Sequence, residues 1–136
     1  MGDSISWRAV RYVLAAYYLF AGCMFLAVLV GVTGAPPEDL PARAAAFQRA
    51  LTDTGFVNPL LAVTFIVSSC FLVFYRTAPL GVALLAPPIL MILLTNVFLA
   101  PSNWWWGVLH AAIEAALLWH FRDAFSPLWN RRNRVN

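Results

Sequence analysis

The sequence predicts an all-α membrane protein, a four-transmembrane-helix bundle with a short amphipathic helix in its first extracytoplasmic loop. Three observations carry this. The 136 residues are 62% hydrophobic and only 11% charged, well below the roughly 25% charge of soluble domains. The apolar residues gather into four runs, each close to the ~20 residues that cross a hydrocarbon core. The charged residues lie almost entirely between and beyond those runs. In hydrocarbon each backbone N–H and C=O must be satisfied inside its own segment, so the runs are read as helices. The length suits a single membrane domain over residues 1–136.

The first helix is expected over about residues 10–32. Arg8 and Arg11 precede its continuous apolar run, Tyr12 to Val32, and Thr33-Gly34-Ala35 loosely resembles a cleavage site. A signal-peptide core is about 7–15 residues long, and this run is longer, which favours a retained span. Pro36-Pro37-Glu38-Asp39 ends it and offers Asp39 as the N-cap of a loop helix over about 40–53. There Leu40, Ala44, Phe47 and Leu51 recur at helical spacing while Arg43, Gln48 and Arg49 fall elsewhere on the wheel, and Gly55 is a fitting stop. Such a helix lies on the outer surface of the bundle, as a plain lid over the helix ends or as a gate for a substrate.

The second helix is expected over about 56–75 and the third over 79–99, with a proline kink at Pro87-Pro88. The fourth is expected over 104–121, and a tail over 122–136 follows. Trp104-Trp105-Trp106 opens the fourth helix at one membrane boundary, and Trp7, Trp119 and Trp129 mark the other. Indole rings favour that interface, where the ring is in apolar surroundings and the N–H finds a partner.

All nine basic residues are arginine. Arg8, Arg11, Arg76, Arg122, Arg131, Arg132 and Arg134 fall on one side; Arg43 and Arg49 fall on the other, offset by Glu38, Asp39 and Asp53. The asymmetry predicts that both termini are cytoplasmic. A net charge of +3 spread in this way gives no nucleic-acid face. Cys23 and Cys70 form no CxxC pair, and no Cys/His spacing predicts a metal site. Their offset along the axis, roughly 7–8 Å, exceeds disulfide reach.

Polar residues within the runs mark the candidate site, because they are costly in lipid and normally face the bundle interior. Glu114 is the one carboxylate in a helix core, with His110 four residues earlier on the same face. Asn96, Thr64 and Cys23 are expected at similar depth in the outer half of the bundle, so a ligand-binding pocket of Cys23, Thr64, Asn96, His110 and Glu114 is feasible. Two readings stand side by side. In one, Glu114 and His110 exchange a proton or hold the head group of a quinone or similar molecule. In the other, Glu114 is protonated or paired with His110 and ties helices together.

Several stretches, taken in order, resemble DoxX-like membrane proteins. They are Pro36-Pro37-Glu38-Asp39-Leu40-Pro41, Ala50-Leu51-Thr52-Asp53-Thr54-Gly55-Phe56 and Asn58-Pro59-Leu60-Leu61. Arg76-Thr77-Ala78-Pro79-Leu80-Gly81, Leu84-Leu85-Ala86-Pro87 and the close at Arg122-Asp123-Ala124-Phe125-Ser126-Pro127-Leu128 continue the pattern. The resemblance spans nearly the whole chain and implies a four-helix bacterial inner-membrane protein. Some relatives are tied to quinone-linked redox complexes. Relatives often carry a second-helix Glu and a Gly pair where this chain has Phe65 and Ser68-Ser69, and a third-helix Asn and His where it has Met91 and Asn96. Glu114 matches the family's fourth-helix Glu. The implied role is an accessory or binding subunit with no catalytic centre of its own, partnered by the lipid bilayer and by oxidoreductase subunits or further copies of itself. The alternatives are a small carrier or binding protein for an apolar metabolite, and a structural helix-packing partner.

Overall fold

The computed structural model describes residues 4–34 and 39–126. Pro36, Pro37 and Glu38, Trp129, and the tail arginines Arg131, Arg132 and Arg134 lie outside the described residues. Every regular element among the described residues is helical. The elements are α1 (Ile5–Leu29), α2 (Ala42–Asp53), α3 (Val57–Val73), α4 (Ala78–Leu94), α5 (Trp104–His120) and the short α6 (Arg122–Phe125).

Two helical runs are long and apolar enough to cross a membrane, Ile5–Leu29 and Ala78–Leu99; α2 and α3 make a third only if a pair bent by 89° counts as one span. The outer face of the molecule agrees with this. Val13, Phe20, Phe74, Phe98 and Trp119 are each at least 66% exposed. Surface apolar residues occur singly on soluble proteins, but here they cover whole helix faces.

Local chemistry sets the boundaries. α1 starts at Ile5, ahead of the apolar run, because the Ser4 hydroxyl accepts from the Trp7 N–H at 3.5 Å. It closes with Gly31 at φ 74° and a bond from the Val32 N–H back to the Ala27 carbonyl at 2.9 Å, the geometry of a glycine-terminated helix. Asp39 does not cap α2, contrary to the expectation from sequence. The cap position is Pro41, with φ −52° and ψ 145° and no side-chain bond. A proline drives the residue before it out of the helical region, so no turn can form ahead of Ala42.

Between α2 and α3 the chain turns through 89°. Gly55, at φ 74°, takes the conformation that other residues resist. Thr54 Oγ1 donates to the Leu51 carbonyl at 2.6 Å and accepts from the Val57 N–H at 3.4 Å. Asn58 reaches back across the corner to Thr52 Oγ1 at 3.1 Å. The corner is therefore tied on both sides, and α2 is held square to α3.

α4 continues from Ala78 to Leu94 through both Pro87 and Pro88. The change of helix type comes later, in a π turn over Thr95–Leu99. There the Ala100 N–H reaches the Thr95 carbonyl at 3.0 Å. Such turns put one extra residue into a helix and often lie at functional sites. A single 3₁₀ turn, Pro101–Asn103, leads into α5. Arg122–Phe125, read as tail from sequence, forms the extra turn α6.

The long helices pack in the order α1, α3, α4, α5, and each of those neighbouring pairs has a glycine in close contact. A Cβ on Gly22 of α1 would stand 3.0 Å from the Ala62 carbonyl of α3. One on Gly81 of α4 would stand 2.8 Å from the Ser68 carbonyl of α3, and one on Gly107 of α5 would stand 3.0 Å from the Leu93 Cα of α4. Small residues of this kind let helices approach where lipid offers no hydrophobic drive. α1 and α5 meet differently, through aromatic rings. Trp7 stacks on His120 at 4.4 Å and Tyr17 meets His110 at 5.4 Å. The core enclosed by the four helices includes Tyr18, Leu72, Val82, Leu85 and Leu117.

Gly81→Ala sets a methyl group against backbone, which cannot yield as a flexible side chain would. We expect a loss of about 1–3 kcal/mol, read as a lowered thermal midpoint in detergent. Gly34→Ala, where a Cβ meets nothing within 4 Å, should leave the midpoint unchanged.

Candidate functional site

The amphipathic face of α2 turns inward as its spacing predicts, with Ala44 fully buried and Leu40, Phe47 and Leu51 half-buried. Beneath it lies a cavity of about 290 Å³ bounded by α1, α2, α3 and α4. Aromatic walls come from Tyr17, Tyr18 and Phe25 of α1, Phe47 of α2 and Phe65 of α3. The polar groups on the wall are Gln48 of α2, Asn58 at the start of α3, and Thr95 and Asn96 of the π turn, besides the two tyrosines. The π turn thus places two consecutive polar residues on a wall otherwise formed by Pro88, Met91 and Ile92 of α4.

The five residues expected to converge do not form one pocket. Asn96 alone lines the cavity. Its amide nitrogen donates to the Ile92 carbonyl at 2.8 Å, and its Cβ lies against Gly107 of α5. Thr64 is half-buried on α3 and away from the cavity wall. Cys23 is exposed, which corrects its expected place in the pocket. Gly22 is the residue that faces α3 at close range, and the next residue, about 100° further round the helix, looks outward. Cys70 is exposed as well.

His110 and Glu114 occupy a second place, a buried polar core on the α5 side of Tyr18. His110 is 6% exposed and Glu114 4%. His110 Nδ1 lies 2.9 Å from the Trp106 carbonyl. A carbonyl can only accept, so Nδ1 carries the proton and Nε2 is the nitrogen left for another partner. The bond runs backward along α5, and Glu114 makes no hydrogen bond through either carboxyl oxygen. The expected His110–Glu114 pair is therefore not hydrogen-bonded, although the two share a helix face.

Tyr18 joins the two places. It is 1% exposed, and its ring lines the cavity and packs against Phe65 at 5.2 Å and His110 at 6.1 Å. Its hydroxyl is buried without a partner, as is that of Ser68. Side chains on a helix lean toward its own N-terminus. α1 and α5 run in opposite directions, so Tyr18 and Glu114 lean toward one another. Buried polar atoms in proteins are almost always bonded. A carboxyl in this setting needs a proton or a partner.

Arg11, grouped by sequence with the N-terminal flank, is 2% exposed. Its guanidinium donates to the Leu72 carbonyl at 2.8 Å and lies 5.6 Å from the centre of the Tyr75 ring. Leu72 is in the last turn of α3, where carbonyls lack helical partners and the helix dipole favours a cation. The arginine therefore ties the start of α1 to the end of α3.

Among the described residues no group of three or more His, Cys, Asp and Glu side chains gathers that could hold a metal ion. No protein-family model, curated protein or solved structure matches this chain.

Two substitutions separate these roles. Tyr18→Phe removes a hydroxyl without a partner, so the thermal midpoint in detergent should stay level or rise, by at most about 1 kcal/mol in stability. Arg11→Leu removes a charged hydrogen bond and should cost about 1.5–3 kcal/mol, with a clear fall in the midpoint.

Proposed function

We propose that this chain is a DoxX-like bacterial inner-membrane protein that crosses the bilayer four times, with both termini cytoplasmic, and binds a small, largely apolar molecule under α2. The cavity carries the reading. Its volume of about 290 Å³ is near the lower end of ligand pockets, ~300–1,000 Å³, and suits a ring-sized head group better than a whole lipid. Its walls combine flat aromatic faces with a few fixed amides and hydroxyls, the usual makeup of small-molecule sites.

Four crossings are supported by the length of α3 and α5, 17 residues each, or about 25 Å of helix, at the short end of spanning lengths. The exposed tryptophans at the start of α5 and the arginine asymmetry support the orientation. The 89° corner supports α2 as a surface helix rather than part of a span.

A quinone ring is the ligand class that the resemblance adds, and an accessory subunit of a quinone-linked oxidoreductase is the role. This chain would then hold the ring while another subunit performs the electron transfer.

The test is purification in mild detergent followed by mass spectrometry of bound small molecules and proteins. We expect a bound apolar compound that is lost from Ala21→Phe, which fills the cavity, and retained in Cys23→Ser. A compound that survives cavity filling but leaves with Glu114→Ala would overturn the assignment in favour of the polar core. For topology, reporters fused to either end should both read cytoplasmic. Arg43→Cys, in a chain with Cys23 and Cys70 replaced by Ser, should react with an impermeant thiol reagent from outside. Termini on opposite faces would overturn the four-crossing reading.

A further inference from the structure

We infer that the cavity selects an uncharged molecule bearing a hydroxyl group on or beside a ring; this rests on the cavity-binding reading above. The first support is charge. No Arg, Asp, Glu or His stands on the cavity wall among the described residues. An ionised ligand would give up much of its water for a mainly apolar wall without a counter-charge, which is costly. Acids and amines in their charged forms are disfavoured on that ground, as are phosphate-bearing head groups.

The second support is the fixed orientation of the two asparagines on the wall. The Asn96 amide nitrogen donates to the Ile92 carbonyl at 2.8 Å, and a carbonyl cannot donate, so the assignment of oxygen and nitrogen is settled. Asn58 is settled by a relay. Thr52 Oγ1 donates its proton to the Gln48 carbonyl at 2.9 Å, so at 3.1 Å it can only accept from the Asn58 nitrogen. Each amide thus has one N–H committed to the protein. Each keeps its carbonyl oxygen and one further N–H.

A hydroxyl answers both remaining functions at once. Its proton goes to the amide oxygen and its lone pair accepts the amide N–H. An ether or a carbonyl answers only the N–H and brings no proton for the amide oxygen, so of a quinone couple the cavity favours the reduced, hydroxyl-bearing ring. Sites built around a hydroxyl reject analogues that lack it far more strongly than apolar pockets reject a size change. The aromatic faces of Tyr18 and Phe65 supply the stacking surface for the ring that carries it.

The experiment compares three probes of nearly equal size on the purified full chain by equilibrium dialysis against micelle-only blanks. The probes are para-hexylphenol, its methyl ether and para-hexylbenzoate, at neutral pH. We expect saturable binding of the phenol, binding of the ether weaker by roughly tenfold or more, and none of the benzoate above the blank. The double variant Asn58→Leu, Asn96→Leu should bring phenol and ether to the same affinity, with a melting transition showing that it folds. Equal binding of phenol and ether to the unaltered chain would overturn the hydroxyl assignment and leave the cavity reading intact. Saturable binding of the benzoate would overturn the charge argument. Absence of saturable binding by every probe would bring down the cavity reading together with this inference.

Discussion

Backbone contact at three glycines sets the geometry of this molecule. Gly22, Gly81 and Gly107 each sit where a neighbouring helix passes too close for any side chain. Between apolar helices in an apolar solvent, attraction comes mainly from packed surface, and the closest packing is backbone on backbone. Fixing α1 on α3, α3 on α4 and α4 on α5 at single points leaves the helices free to diverge away from those points. Gly22 stands next to Ala21, which lines the cavity. Gly107 faces Asn96, which also lines it. The tight contacts and the open space are thus parts of one arrangement.

The fourth seam is of another kind. Aromatic rings join α1 to α5, and behind that seam lie Tyr18, His110 and Glu114. The division into an apolar cavity with a neutral polar rim and a buried polar core separates two tasks that the sequence merges. The cavity has shape and fixed amides. The core has the titratable groups and the unpartnered oxygens of Glu114 and Tyr18. Tyr18 lines the first and meets His110 of the second. A change in the position of that ring is therefore felt on both sides.

Much of the architecture was legible in the sequence because hydrocarbon solvent imposes simple rules on length and charge. The apolar runs, the inward face of α2 and the Gly55 corner all follow from such rules. The site was less legible. Depth along a helix can be counted from sequence, but the rotation of each helix about its axis cannot when apolar residues surround it on every side. Cys23 and Thr64 lie off the cavity wall for that reason. Arg11 was legible only as a charge at a helix end; one partner is a backbone carbonyl 61 positions away, which leaves no mark in composition. Asn58 and Thr95 carried a weak signal, as polar residues at the edges of apolar runs. The π turn that aims Thr95 and Asn96 carried none. Pro41 was legible in principle, since its effect on the preceding residue rules out the earlier cap at Asp39.

The right-angled corner at Gly55 has a mechanical consequence. In the four-crossing arrangement proposed above, with α3 upright in the bilayer, α2 would lie parallel to its plane, like the flange on a bolt. Arg43 and Arg49 are exposed on that flange and cannot be dragged into oil, so the bundle resists sinking. Leu40, Phe47 and Leu51 on the underside resist its rising. In that arrangement the molecule would carry its own depth stop, and the level at which a guest met Asn58 and Asn96 would be set by the chain itself, not by the thickness of the surrounding lipid.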